Sequence, residues 1–90
     1  MRPIRWANHA VENLAEREID RSDVEETLRN PDLVVPDPPG REVHMRRYSD
    51  RVLQQEMILR VVVEHTENET VVVTVYKTSQ MARYLKGIPR

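Results

Sequence analysis

Met57-Ile58-Leu59-Arg60-Val61-Val62-Val63-Glu64-His65, then Thr66-Glu67-Asn68-Glu69, then Thr70-Val71-Val72-Val73-Thr74-Val75-Tyr76-Lys77: two β-branched runs flanking a polar tetrapeptide decide the fold of this 90-residue chain. Branched side chains are stiff at χ1 and pack well on a pleated surface, so each run reads as a strand and the tetrapeptide as a turn. Alternation puts Met57, Leu59, Val61 and Val63 on one face and Arg60 and Glu64 on the other. Val71, Val73 and Val75 are expected to continue the core face, with Thr70, Thr74 and Tyr76 opposite, in an antiparallel meander. Upstream, Val43 and Met45 alternate with Glu42, His44 and Arg46, and Ser49-Asp50 reads as the turn that joins this segment to the first valine run.

Working back toward the N-terminus, Leu33 to Val35 fits a short strand, and residues 36–40, with three prolines and a glycine, read as a stiff loop. Ala10, Val11, Leu14 and Ala15 share one arc of a helical wheel, with His9, Glu12, Asn13 and Glu16 on the other, which predicts an amphipathic helix over about 8–18. A second helix is expected over about 21–30, capped by Asp20 or by a Ser22/Glu25 capping box. Ile19 is spaced to staple onto Val24, and Pro31 ends the helix at Asn30. Ser79 fits the cap of a short helix over about 80–86, with Lys86 in its last turn and Gly87 and Pro89 as stop signals. The expected architecture is α+β: two N-terminal helices packed on an antiparallel sheet of three to four strands over about 42–77, with a short C-terminal helix, in one domain over 1–90.

A chain of this length buries only about 60 to 65% of its extended surface, which leaves no room for a second domain. Without Phe, its core is filled by Val, Leu, Ile and Met. Without Cys, neither a disulfide framework nor a thiolate zinc site is possible. No apolar run is long enough to span a bilayer, so a cytoplasmic protein with no membrane contact is expected. The net charge of −1 divides unevenly: residues 1–40 hold five Arg against nine acids, and residues 41–90 hold nine Lys and Arg against six. The second half therefore offers a basic face that fits nucleic acid, and the first an acidic face that fits a basic partner.

Two constellations carry chemistry. His9, Asn13 and Arg17 follow one another at i, i+4 and line one edge of the first helix. A His in the first helical turn is favoured in its neutral form, which suits a general base, and an Arg on the same edge suits the charge of a phosphate. The same His serves equally as a packing or capping residue. The second constellation is basic and aromatic: Arg41, His44, Arg46, Arg47 and Tyr48, joined by Tyr76, Lys77, Arg83 and Tyr84. Arg beside Tyr holds a phosphate and stacks on a base, as single-stranded RNA binding requires, whereas Arg on an edge strand also blocks aggregation. With two glycines there is no phosphate loop, Ser22, Ser49 and Ser79 lie in no nucleophile context, and His9, His44 and His65 are scattered. Neither a metal nor a cofactor is expected.

The run His9-Ala10-x-x-x-Leu14-x-x-Arg17-x-Ile19, then Val24, Asn30-Pro31 and valine strands ending in Thr74-Val75-Tyr76-Lys77, resembles a small bacterial family of domains of unknown function. Its layout is similar to that of the BrnT and RelE type ribonuclease toxins. The resemblance covers nearly the whole chain and implies a toxin-like RNA-binding domain or metal-independent endoribonuclease. On that reading His9 deprotonates a ribose 2′-hydroxyl, Arg17 and one of Arg46 or Arg47 stabilise phosphoryl charge, and a Tyr or Lys assists the leaving oxygen. A cognate antitoxin is the partner it implies. Where many such relatives carry a basic residue, this chain has Asn13. The alternative from another class is a non-catalytic interaction module, a homodimer or an antitoxin partner, that uses its acidic helices or an exposed strand edge.

Overall fold

In the computed structural model, which describes residues 2–80, the chain runs β1 (Ile4–Trp6), α1 (Asn8–Glu16), α2 (Arg21–Arg29), β2 (Leu33–Asp37), β3 (Arg41–Asp50), β4 (Gln55–His65) and β5 (Thr70–Thr78). The strands form one sheet in the order β1-β5-β4-β3-β2. β2 to β5 pair antiparallel, and β1 lies parallel to β5. Both helices cover one face: Ala10, Ile19 and Val24 bury against Met57, Leu59, Val61, Val63, Val72 and Val75.

The expected architecture of two N-terminal helices on an antiparallel sheet of three to four strands is corrected to a five-stranded mixed sheet. Two strands account for the difference. β1 has only three residues, too few to show a periodicity, and its conformation is set by a partner some 66 residues away: Ile4 pairs with Thr70, Arg5 with Val71 and Trp6 with Val72. Backbone bonds from Thr70 N to Pro3 O (2.9 Å) and from Ala7 N to Val72 O (3.0 Å) extend that ladder. β2 continues through Pro36 to Asp37 because it is the outermost strand, where a missing N–H is tolerated. The expected loop thus shrinks to a turn over 38–40, closed by Gly40 at φ 75°. The expected C-terminal helix over 80–86 lies outside the described residues, apart from Gln80 at its first position.

Two local features also depart from pattern. β3 runs through Ser49 and Asp50, and the chain reverses instead over 51–54. In β5 a bulge opposite Val62 and Val63 adds one residue, so Val72 and Val75 face the helices while Val73 joins the other side. That other side carries its own apolar cluster of Val43, Met45, Ile58 and Val62, with Leu33, Val35, Val73 and Tyr76.

α1 closes two residues short of the expected end because Glu18 adopts φ 52° and two bonds finish the helix in a Schellman arrangement. These run from Ile19 N to Leu14 O (2.9 Å) and from Glu18 N to Ala15 O (3.4 Å). Asp20 stands at the N-cap of α2 without a side-chain capping bond, its carboxylate being engaged by Arg51. Among the described residues no helix is long and apolar enough to cross a membrane.

Candidate functional site

β3 lays an unusual ridge beneath the helices. Its even-numbered residues Glu42, His44, Arg46, Tyr48 and Asp50 share the face of Val63, Val61, Leu59 and Met57 on β4, so a polar row crosses an otherwise apolar interface. Such groups are stable there only when their hydrogen bonds are completed.

At the middle of the row, Arg46 is held under α2. Its Nε donates to Thr27 Oγ1 (3.2 Å), and its NH2 donates to the Asp23 carbonyl (3.2 Å) and reaches the Asp23 carboxylate at 3.5 Å. At the far end Asp50 is buried and accepts four bonds. Tyr48 OH (2.8 Å) and Lys77 Nζ (2.6 Å) donate to Oδ2, and the N–H groups of Val52 and Leu53 (both 2.9 Å) donate to Oδ1. Burial alone would raise the Asp50 pKa, but Lys77, the Leu53 N–H and the Tyr48 hydroxyl outweigh it and hold the carboxyl well below its ordinary range. Burial first, and then the bond to Asp50, push the Tyr48 phenol above its ordinary value. The cleft beside this end, about 310 Å³, is lined by Glu18, Asp20, Asp23, Tyr48, Asp50, Arg51 and Val52, and three of its four carboxylates are already paired with Arg51, Arg46 and Lys77.

The near end is built differently. Glu42 Oε1 lies 2.8 Å from His65 Nε2 and 3.3 Å from His44 Nε2. His65 Nδ1 lies 3.1 Å from Thr70 Oγ1, and the two imidazoles meet edge to face with centroids 6.1 Å apart. The tautomer in which both Nε2 atoms carry protons lets both rings donate to Glu42 and lets Thr70 donate to His65. The hydrogen bond from His65, with that from His44, holds the Glu42 carboxyl below its ordinary value against a smaller opposing effect of desolvation. His44 Nδ1 is buried and has no hydrogen-bond partner. A cleft of about 220 Å³ opens here, lined by Arg2, Ile4, Leu28, His44, His65 and Thr70.

The residues singled out from the sequence fall into separate places. On α1, His9 is exposed, whereas Asn13 and Arg17 dock on β5 past the end of β1. Asn13 Oδ1 accepts from Val75 N (3.0 Å) and Thr74 Oγ1 (2.7 Å), and Arg17 NH1 donates to Val75 O (2.7 Å). These two side chains stand where a neighbouring strand would, and Asn13 is fully buried with Nδ2 unpartnered. Tyr48 and Lys77 are bound to Asp50, and Arg46 to α2. Arg47 points to the opposite face, 3.7 Å from Glu56, with its own N–H on Asp32. Tyr76 also lies on that face, bonded to Arg60, whose guanidinium sits 4.9 Å from its ring. Arg83 and Tyr84 lie outside the described residues. The structure does not bring His9 and Arg17 together with the β3 arginines, and it does bring together His44 and His65, which the sequence leaves 21 positions apart.

Fold and site together define a small α+β domain whose mixed sheet carries a His–Glu–His cluster at one end of a buried polar row. The chain belongs to the family described as Domain of unknown function (DUF4258), which matches residues 6–77 and so takes in the cluster, the Asp50 network and both helices. No curated protein and no solved structure matches the chain.

Proposed function

We propose that this domain is a toxin-like RNA-cleaving domain that works by acid–base chemistry at the Glu42–His44–His65 cluster. The observation that carries the reading is a pair of imidazoles sharing one carboxylate at the mouth of a cleft, with Arg2 at its lip. His65, the exposed ring, takes the proton of a ribose 2′-hydroxyl on Nδ1, the nitrogen that otherwise accepts from Thr70 Oγ1. The 2′-oxygen attacks phosphorus, the P–O5′ bond breaks, and the departing 5′-oxygen takes a proton from a protonated imidazole, leaving a 2′,3′-cyclic phosphate. Glu42 orients both rings, and Arg2 balances the charge that develops on the phosphoryl oxygens.

Labelled total RNA incubated with the full chain in excess EDTA tests the reading. Discrete cuts that fall about tenfold or more in H65A and in R2A support it, a loss of that size being ordinary for an acid–base group. Cuts that persist in H65A but vanish in H9A or R17A would return the chemistry to the edge of α1. Intact RNA overturns the reading.

One observation favours a non-catalytic alternative. β2 is an outermost strand and exposes Val34, so its free edge offers a ladder to a second copy of the chain or to an antitoxin segment. Concentration-dependent dimerisation that is lost in V34K, with RNA left intact, would support it.

A further inference from the structure

We infer that Glu42, His44 and His65 form a binding site for one divalent metal ion of the zinc class. Zinc held at about 2.1 Å in tetrahedral geometry places its ligand atoms about 3.4 Å apart. Glu42 Oε1 already stands 2.8 Å from His65 Nε2 and 3.3 Å from His44 Nε2, and the ligand atoms of the three residues all lie within 4.8 Å of one another. An ion entering between them takes the two Nε2 lone pairs: each neutral ring shifts its one proton from Nε2 to Nδ1, where that of His65 is donated to Thr70 Oγ1.

The surroundings fit a metal better than a plain hydrogen-bonded triad. Thr70 Oγ1 engages the far nitrogen of His65, the outer-sphere partner that aims a ligating imidazole. His44 keeps Nε2 turned toward Glu42 although this leaves Nδ1 buried and unpartnered, an arrangement that costs free energy as long as only a hydrogen bond is gained. Ile4 and Leu28 line the cleft beside the cluster and lower the local dielectric, and its open side leaves a fourth position for water or an anion beside Arg2. Two imidazoles with one carboxylate suit zinc, iron(II) or nickel, whereas calcium and magnesium require more oxygen donors.

The site stands without the RNA reading, although a bound metal requires His65 protonated on Nδ1 and the RNA reading requires it protonated on Nε2, so the two are exclusive states of the cluster. Titrating Zn2+ into metal-stripped full chain by calorimetry, and following Co2+ by its visible absorption, tests it in the absence of RNA. The expected result is one ion per chain, bound about tenfold or more weakly in H65A and E42Q, with a similar loss in the near-isosteric T70V through the outer sphere. H65A and E42Q alter partly exposed side chains, and unchanged circular dichroism would show that they remain folded. H9A should leave binding unaltered. Absence of one-to-one binding, or binding that survives in both H65A and E42Q, overturns the inference. Cleavage in EDTA is read separately, so either proposal fails without the other.

Discussion

The two ends of β3 make opposite use of a buried polar group. At Asp50 every acceptor is filled by Tyr48, Lys77 and two turn N–H groups, so the carboxylate is saturated although a cleft lies beside it. At Glu42 the carboxylate faces two rings of changeable protonation, one ring nitrogen has no partner, and a cleft opens beside it. A completed network ties strands together and has nothing left to offer a ligand. An incomplete one in the same strand retains capacity for a proton, a metal or a substrate.

The largest expected effect falls at the saturated end. Asp50→Ala leaves the Lys77 ammonium, only 12% exposed, with the Glu18 carbonyl but no carboxylate, and frees two turn donors, so urea unfolding should show a loss of about 3–5 kcal/mol. His65→Ala should cost no more than about 0.5 kcal/mol, as expected for an exposed residue. Equal losses at the two ends would erase the contrast. Acid titration sharpens it further. The Asp50 pKa lies below its ordinary 3.8 in the folded chain, so the unfolded chain takes up the proton first. Its contribution is complete above that value and is lost as pH falls toward the folded one; Asp50→Asn should flatten the acid limb of stability against pH. Glu42 shifts in the same direction, and Glu42→Gln should flatten that limb less.

Smaller effects belong to α1. Asn13→Ala strips the acceptor from Val75 N–H and Thr74 Oγ1 and should cost about 1–3 kcal/mol in thermal or urea unfolding, without altering zinc binding. Smaller than the Asn13 effect, and of opposite sign, Glu18→Gly relieves a left-handed backbone at the helix end, and a gain of about 0.5–1 kcal/mol should appear as a higher Tm.

Local pattern carries the elements whose partners lie close in sequence. The arc of Ala10 and Leu14, the staple pair Ile19 and Val24, and the alternation along β3 and β4 are all visible before any contact is known. β1 is invisible because three residues hold no period, and the face exchange at Val72 and Val73 because a bulge is a property of two paired strands. The His–Glu–His cluster was hidden by a turn. Reversal at Ser49-Asp50 would set His44 opposite a residue near 55, whereas reversal over 51–54 pairs His44 with Val61 and Glu42 with Val63, bringing His65 diagonally onto Glu42. Asp50 itself held the clue, since an Asp that opens a turn accepts the N–H groups two and three positions on, as it does from Val52 and Leu53. The basic residues misled for a related reason: charge counts do not reveal that Arg46 and Lys77 are already committed inside the fold.

The short reach of β1 leaves the outer rim of β5 to be sealed by Asn13 and Arg17, side chains of a helix that stand in for a missing strand. Asn13 and Arg17 thereby occupy the backbone groups of Val75 that a further extended chain would need for pairing, so one nine-residue helix and its cap blunt this rim of the sheet.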